Sequence, residues 1–337
     1  MLMVVFGAGA SYDSLPGRAG GGAYCPPLAA DLFKSEPFYL DALNRYEQAT
    51  SAADRVLGGM KRGGTLETEL ERFVGDAAEW PAIHMSLMAL RFYLRSVLWQ
   101  CSDQWGAMDG GKLNYVRLVR ELEQWRHKRD TRIAYVTFNY DTLLEQALRR
   151  VVNLSFITID RYVSEERGVF KVHGSVDWGQ AVVSERFANY AGPAELIELA
   201  PYLKFEDRFE KVNSVDSTGG PPQFLAPAIA MPVVEKTQFA LPTEHLDLLR
   251  TWLPDVRRLL VVGWRGNEQL FLRFLRESEL GKDTPVEIVT SSDVGAKETE
   301  GHLQSAGIQG PVYHHLDGFS AFMGGTGFDQ LMARLKS

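Results

Sequence analysis

Met1-Leu2-Met3-Val4-Val5-Phe6-Gly7-Ala8-Gly9-Ala10-Ser11 opens the chain as an apolar run that breaks into a glycine turn. Such a run reads as a buried strand, and the turn behind it as the first βα turn of a Rossmann-like sheet, where backbone N–H groups face a pyrophosphate. Gly7, Ala8, Gly9, Ala10 and Ser11 are therefore candidate dinucleotide-binding residues. The full fingerprint wants a third glycine where Tyr12 stands, and no strand-ending acid follows about 20 residues on. Two later stretches strengthen the reading.

Working outward, short apolar runs recur at Ile133–Phe138, Ser155–Ile159, Val169–His173, Arg258–Val262, Val286–Thr290 and Val312–Leu316. Runs without polar alternation are those of parallel strands covered on both faces. Helical spacing follows some of them, as in Leu143, Leu144, Ala147 and Leu148, or Leu270, Phe271, Phe274 and Leu275. This alternation predicts an α/β fold: a Rossmann-like, doubly wound, mostly parallel sheet. Its core is expected in residues 1–31, 133–179 and 246–336 of a single domain.

The interval of about 32–132 is too long for a loop. Helical spacing at Leu66, Leu70, Phe73 and Ala77, then at Ile83, Leu87, Leu90, Leu94 and Val97, predicts a helical insertion. Gly20-Gly21-Gly22, Gly58-Gly59, Gly63-Gly64 and Gly110-Gly111 punctuate it. Residues 181–241 are proline-rich and weakly periodic, with Ser217-Thr218-Gly219-Gly220-Pro221-Pro222 at their middle, and read as a lid or small subdomain.

With 45% hydrophobic and 23% charged residues, the 337-residue chain has an ordinary globular composition. Its net charge of −7 offers no electrostatic footprint for nucleic acid, and Arg126-His127-Lys128-Arg129 reads as a solvated helix end. Cys25 and Cys101 are too few for a disulfide framework or a Cys-rich zinc site, so a reducing cytoplasm is the expected location. Neither a signal peptide nor a membrane helix is expected. His314-His315 falls within a strand, where neighbours point to opposite faces and cannot chelate together, and no metal is expected.

The second informative stretch is Val136-Thr137-Phe138-Asn139-Tyr140-Asp141-Thr142-Leu143-Leu144-Glu145. Here a strand delivers Asn139 and Asp141 to the sheet edge where α/β folds bind ligands. Taken alone, this stretch reads as structural: Thr142 with Glu145 matches a capping box, and Asn139 or Asp141 can close the turn. The third stretch, Phe170-Lys171-Val172-His173-Gly174-Ser175-Val176-Asp177-Trp178, ends a strand in a histidine beside a glycine that lets backbone approach a ligand. A lone histidine is ordinary; three such strand ends in order in one sheet are not.

The combination resembles the sirtuin-like (silent information regulator 2-like) family, whose pattern is Gly-Ala-Gly-x-Ser, Thr-x-Asn-x-Asp, His-Gly and a late strand with a glycine motif. Gly7–Ser11, Thr137–Asp141 and His173-Gly174 match it. Val261-Val262-Gly263-Trp264-Arg265-Gly266-Asn267-Glu268 matches loosely, with Arg265 at the usual serine or threonine position and Glu268 following Asn267 where aspartate is frequent. The run Leu225–Pro232 followed by Lys236 resembles a stretch of many prokaryotic sirtuin-like proteins. Deacylating members carry a four-cysteine zinc ribbon before the late glycine motif, and this chain has no cysteine there.

The resemblance therefore implies the prokaryotic antiviral-defence NADase branch that lacks the ribbon. It implies hydrolysis of NAD+, bound as substrate, to nicotinamide and ADP-ribose, and abortive infection by NAD+ depletion. It also implies a homo-oligomer, a partner defence protein of Argonaute or ATPase type, or both. The implied catalytic residues are His173, Asn139 and Asp141. The implied binding residues are Gly7, Ala8, Gly9, Ala10, Ser11, Asn139, Asp141, Gly174, Gly263 and Arg265. Two alternatives stand beside it: an NAD-dependent protein deacylase or ADP-ribosyltransferase, and a sensor that binds NAD or ADP-ribose without turnover.

Cleavage of the nicotinamide–ribose bond gives the ribose carbon oxocarbenium character, and the leaving group is already cationic, so no acid is required. One base suffices. His173 would deprotonate a water or a ribose hydroxyl. Asn139 would orient that water or hold the ribose, since an amide both donates and accepts. Asp141 would hold the ribose or carboxamide, or brace the turn, and Arg265 would meet a phosphate.

Overall fold

The structure is a computed structural model and describes residues 1–17, 24–64, 66–75, 80–108, 112–187, 191–231, 239–278 and 280–336. Gly20-Gly21-Gly22, Ala77, Gly110-Gly111, Pro232 and Lys236 lie outside the described residues. The fold is α/β. The principal sheet contains β1 (Leu2–Phe6), β2 (Ile133–Thr137), β3 (Arg167–Lys171), β8 (Arg258–Val262), β9 (Val286–Val289) and β10 (Val312–His315). Its six strands run in the order β10-β9-β8-β1-β2-β3, and every pairing is parallel.

This is the Rossmann-like order. The chain builds outward from β1 to β3, returns to the other side of β1 and builds outward again to β10. The direction reverses between β1 and β8, which is where open α/β sheets place their ligands. All five residues of β1 are buried, as a strand with helices on both faces requires.

Around the sheet pack α1 (Ala8–Tyr12), α6 (Asn114–Arg129), α7 (Leu143–Val152), α9 (Thr243–Trp252), α10 (Gln269–Glu277), α11 (Asp293–Ser305), α12 (Gly318–Gly324) and α13 (Thr326–Lys336). Beyond β3 the chain makes a second sheet from β4 (Gly174–Val183), β5 (Lys204–Lys211), β6 (Gly219–Gly220) and β7 (Gln223–Ile229). It is antiparallel, in the order β5-β4-β7-β6. The stretch read as a lid or subdomain thus supplies three of its four strands, with α8 (Pro193–Glu198) in the connection.

Before β2 come α2 (Pro37–Arg45), α3 (Gln48–Lys61), α4 (Leu66–Gly75) and α5 (Pro81–Ala107). Their apolar faces join Val176, Val182, Phe224, Ala226 and Ile229 of the small sheet in a second core. At 27 residues α5 spans about 40 Å and reaches both cores, with Met88–Cys101 in the second and Trp105 in the first. The last helix of the interval, α6, packs Tyr115, Val116, Leu118, Val119 and Leu122 into the main core.

Two local expectations are corrected. Ser155–Ile159 is not a strand; it is irregular chain leading into a 3-10 turn at Ile159–Tyr162. Phe156 is buried against Tyr162, with ring centroids 4.7 Å apart, whereas Ile157 is 70% exposed, so the run has one anchor rather than a strand's buried face. The basic run at the end of α6 is not wholly solvated. Arg126 is buried and pairs with Glu123 at 2.9 Å and Glu166 at 3.2 Å, while His127, Lys128 and Arg129 are exposed. The paired histidines divide as expected: His315 is buried against Glu287 at 2.8 Å, and the exposed His314 meets Glu300 at 2.9 Å.

Candidate functional site

The turn after β1 and the turn after β8 press backbone on backbone. Gly7 N–H donates to Val262 O at 3.0 Å, and Gly9 N–H to Gly263 O at 3.1 Å. A Cβ on Gly7 would stand 2.5 Å from Gly263 O and 2.6 Å from Trp264 Cα, and one on Gly9 would stand 3.0 Å from Gly263 Cα. Gly263 itself has φ +60°, and its Cβ would lie within 2.5 Å of Gly9 C. These glycines are dictated by close packing at the switch point. Gly9 N–H is consequently spent on Gly263, whereas Ala8 stands exposed at the start of α1.

Asn139 braces this turn from the end of β2. Its Nδ2 donates to Gly7 O at 2.9 Å, to Ser11 Oγ at 2.9 Å and toward Tyr115 OH at 3.2 Å. Ser11 Oγ and Tyr115 OH are 3.0 Å apart. Tyr115 reaches up from α6, its ring held between Phe6 and Phe319. The sequence reading did not find it, because its only local signal is one apolar-periodic position among several on that helix. Ser11 is 2% exposed, so its hydroxyl belongs to the bracing beneath the turn rather than to an open rim.

One strand over, His173 follows β3 and is 6% exposed. Its ring meets the edge of Phe138 at 4.9 Å and stacks on Tyr140 at 6.0 Å. Phe138 in turn stacks flat on Trp264 at 5.1 Å, so an aromatic layer runs from the histidine to the turn after β8. Gly174, at φ +79°, is where the chain leaves the parallel sheet for the antiparallel one; a Cβ there would overlap Ala228 O. Arg265 lies apart from the brace. Its backbone carbonyl meets His302 Nδ1 at 2.9 Å, and its exposed guanidinium makes no ion pair among the described residues. Glu268 accepts from Trp264 Nε1 at 2.5 Å, fixing that indole.

Asp141 closes the turn into α7, its Oδ1 accepting from Leu143 N–H at 3.0 Å. The capping box expected of Thr142 and Glu145 does not form: Thr142 makes no side-chain cap. Glu145 instead turns inward to Lys171 Nζ at 2.9 Å, with both side chains buried. Lys171 also donates to Asp141 O at 2.5 Å, which ties the Asn139–Asp141 loop to β3 just before His173. Tyr162 OH donates to Glu145 Oε1 at 3.3 Å, and Oε2 has no hydrogen-bond partner among the described residues. Burial raises the Glu145 pKa above the ordinary carboxylate value, with the Lys171 ammonium opposing it.

Because this pair is sealed, Lys171→Met is expected to cost about 3–5 kcal/mol in urea unfolding, since it strands a carboxylate in a dry interior. Lys171→Met combined with Glu145→Leu should recover most of that loss. A double variant no more stable than Lys171→Met would show that the pair's charge balance is not what matters there.

Among the described residues no cluster of His, Cys, Asp and Glu could hold a metal ion, and no helix is long and apolar enough to cross a membrane. No protein-family model matches the chain, and no curated protein matches it.

Proposed function

We propose that this chain is an NAD+ glycohydrolase that releases nicotinamide and ADP-ribose. The observation that carries the reading is one of placement. The Gly7–Ser11 turn, Asn139 and His173 stand at the carboxyl ends of three adjacent parallel strands, beside the point where the strand order reverses. That edge suits an extended dinucleotide, with pyrophosphate toward the exposed Ala8 end of the turn and the nicotinamide ribose toward β3.

His173 is the base on this reading. Its imidazole takes a proton from a water or from a ribose hydroxyl as the bond to the cationic nicotinamide breaks. Phe138 and Tyr140 fix the ring plane. The Asn139 amide nitrogen is committed to the turn, and Oδ1, which accepts no hydrogen bond among the described residues, is the atom left for a ribose hydroxyl or the attacking water. Asp141 supports the loop through Leu143 rather than needing to touch ligand. Arg265, exposed after β8 and with no ion-pair partner among the described residues, would meet a phosphate. Depletion of NAD+ in anti-phage defence, as a homo-oligomer or with an Argonaute- or ATPase-type partner, is the setting this activity suits.

One observation favours a second reading, a module that binds NAD or ADP-ribose without turnover. Ser11, Asn139 and Asp141 all serve the protein's own hydrogen bonds. Incubation with NAD+ and chromatography of the products separates the two. The expected result is nicotinamide and ADP-ribose in equal amounts; ADP-ribose binding with no nicotinamide release would replace the hydrolase with the module. Release that depends on an acylated lysine peptide would replace it with a deacylase.

A further inference from the structure

The geometry points to a binding site for a small organic phosphate between α6 and α7, away from the glycine turn and independent of the NAD reading. An open cavity of about 550 Å³ lies there, lined by Arg120, Arg126 and His127 of α6 and by Arg150, Val151 and Val152 at the end of α7. Helix α6 ends just before β2 begins, and α7 runs back from the far end of β2. The cavity therefore lies toward the amino ends of the strands, whereas the candidate dinucleotide edge is at their carboxyl ends.

The cavity's charge is unbalanced. Arg126 is buried in its wall, fixed by Glu123 at 2.9 Å and Glu166 at 3.2 Å. Arg167 meets the same two carboxylates at 3.0 and 2.9 Å, so this inner network of guanidiniums and carboxylates is neutral in itself. Arg120 is the surplus: it is exposed on the rim and makes no ion pair or side-chain hydrogen bond among the described residues. Helix-end electrostatics do not account for it, because a cation offsets the helix dipole only within the last turn, and Arg120 lies more than two turns before the end of α6 at Arg129. Arg150 stands exposed at the end of α7, on the other side of the cavity. Guanidinium forks match phosphate oxygens, and the half-buried Val151 and Val152 offer an apolar floor for the organic body. The volume suits a small molecule, and a chain of net charge −7 repels a long polyanion, which favours a small phosphate over nucleic acid.

The test uses adenosine diphosphate as the probe on the full chain, with phenylglyoxal modification of arginines read peptide by peptide by mass spectrometry. Arg120 and Arg150 are expected to lose most of their reactivity when the nucleotide is bound, while Arg161, exposed elsewhere on the surface, keeps its own. In calorimetry, Arg120→Ala is expected to weaken this binding about tenfold, the worth of one hydrogen bond between charged groups. Unchanged reactivity at Arg120, or an Arg120→Ala affinity equal to the parent's, would overturn the inference. Protection of Arg265 alone would also overturn it, by placing the nucleotide at the turn after β8. Protection of Arg120 by a single-stranded oligonucleotide but not by adenosine diphosphate would replace the small phosphate with nucleic acid.

Discussion

Gly263→Ala is expected to lower unfolding stability by more than about 3 kcal/mol, among the largest losses a single methyl can cause. Two penalties combine. The residue sits at φ +60°, where an L side chain is strained, and its Cβ would lie within 2.5 Å of Gly9 C. The obstructing atoms are backbone, so no rotamer change relieves the overlap, and the turn after β1 would have to move off β8. Gly301→Ala is the contrast. It lies inside α11 with nothing within 4 Å of an added Cβ, and is expected to gain up to about 1 kcal/mol from helix propensity. Urea unfolding of both variants measures the difference; equal stabilities would mean that the two turns are not held in contact in solution.

The second large effect is chemical. On the proposed hydrolase function, His173→Ala is expected to lower the turnover of NAD+ by about 100- to 10,000-fold, the range typical of a lost general base. The loss should fall on kcat, with KM little changed, because the Gly7–Ser11 turn lies two strands away, its Asn139 brace lies one strand away, and both keep their own hydrogen bonds. Thermal unfolding of the same sample separates this from collapse of the Phe138 and Tyr140 packing around the ring. Turnover within about threefold of the parent in a folded variant would remove His173 from the mechanism.

How much of this was legible in the sequence follows from which forces act locally. Leu2–Phe6, Ile133–Thr137 and Arg258–Val262 are readable because a strand covered on both faces must be apolar throughout. Ser155–Ile159 has the same surface appearance, yet a strand also needs a partner, and pairing is not written in a five-letter run. The small sheet was hidden for the opposite reason. Lys204–Lys211 is an edge strand carrying charge along most of its length, which guards against edge-to-edge pairing and erases the alternation a reader looks for.

The candidate site divides in the same way. Gly7, Asn139, His173 and Gly174 are visible because strand ends concentrate them. The roles of their neighbours depend on groups far away in the chain. Glu145 sits at the right spacing for a capping box, but a buried lysine on β3 offers it far more than a helix N-terminus does. Tyr115 meets Ser11 and Asn139 across 104 and 24 residues, and no local pattern distinguishes it from the other apolar positions of α6.

The contact of Gly7 and Gly9 with Gly263 also bears on how this scaffold can diversify. Neither turn can acquire a side chain unless the other recedes, so the two loops behave as a single heritable part. A library that varies one of them alone will return mostly unfolded clones. A graft from another α/β protein must bring both loops together, with the spacing between their strands intact.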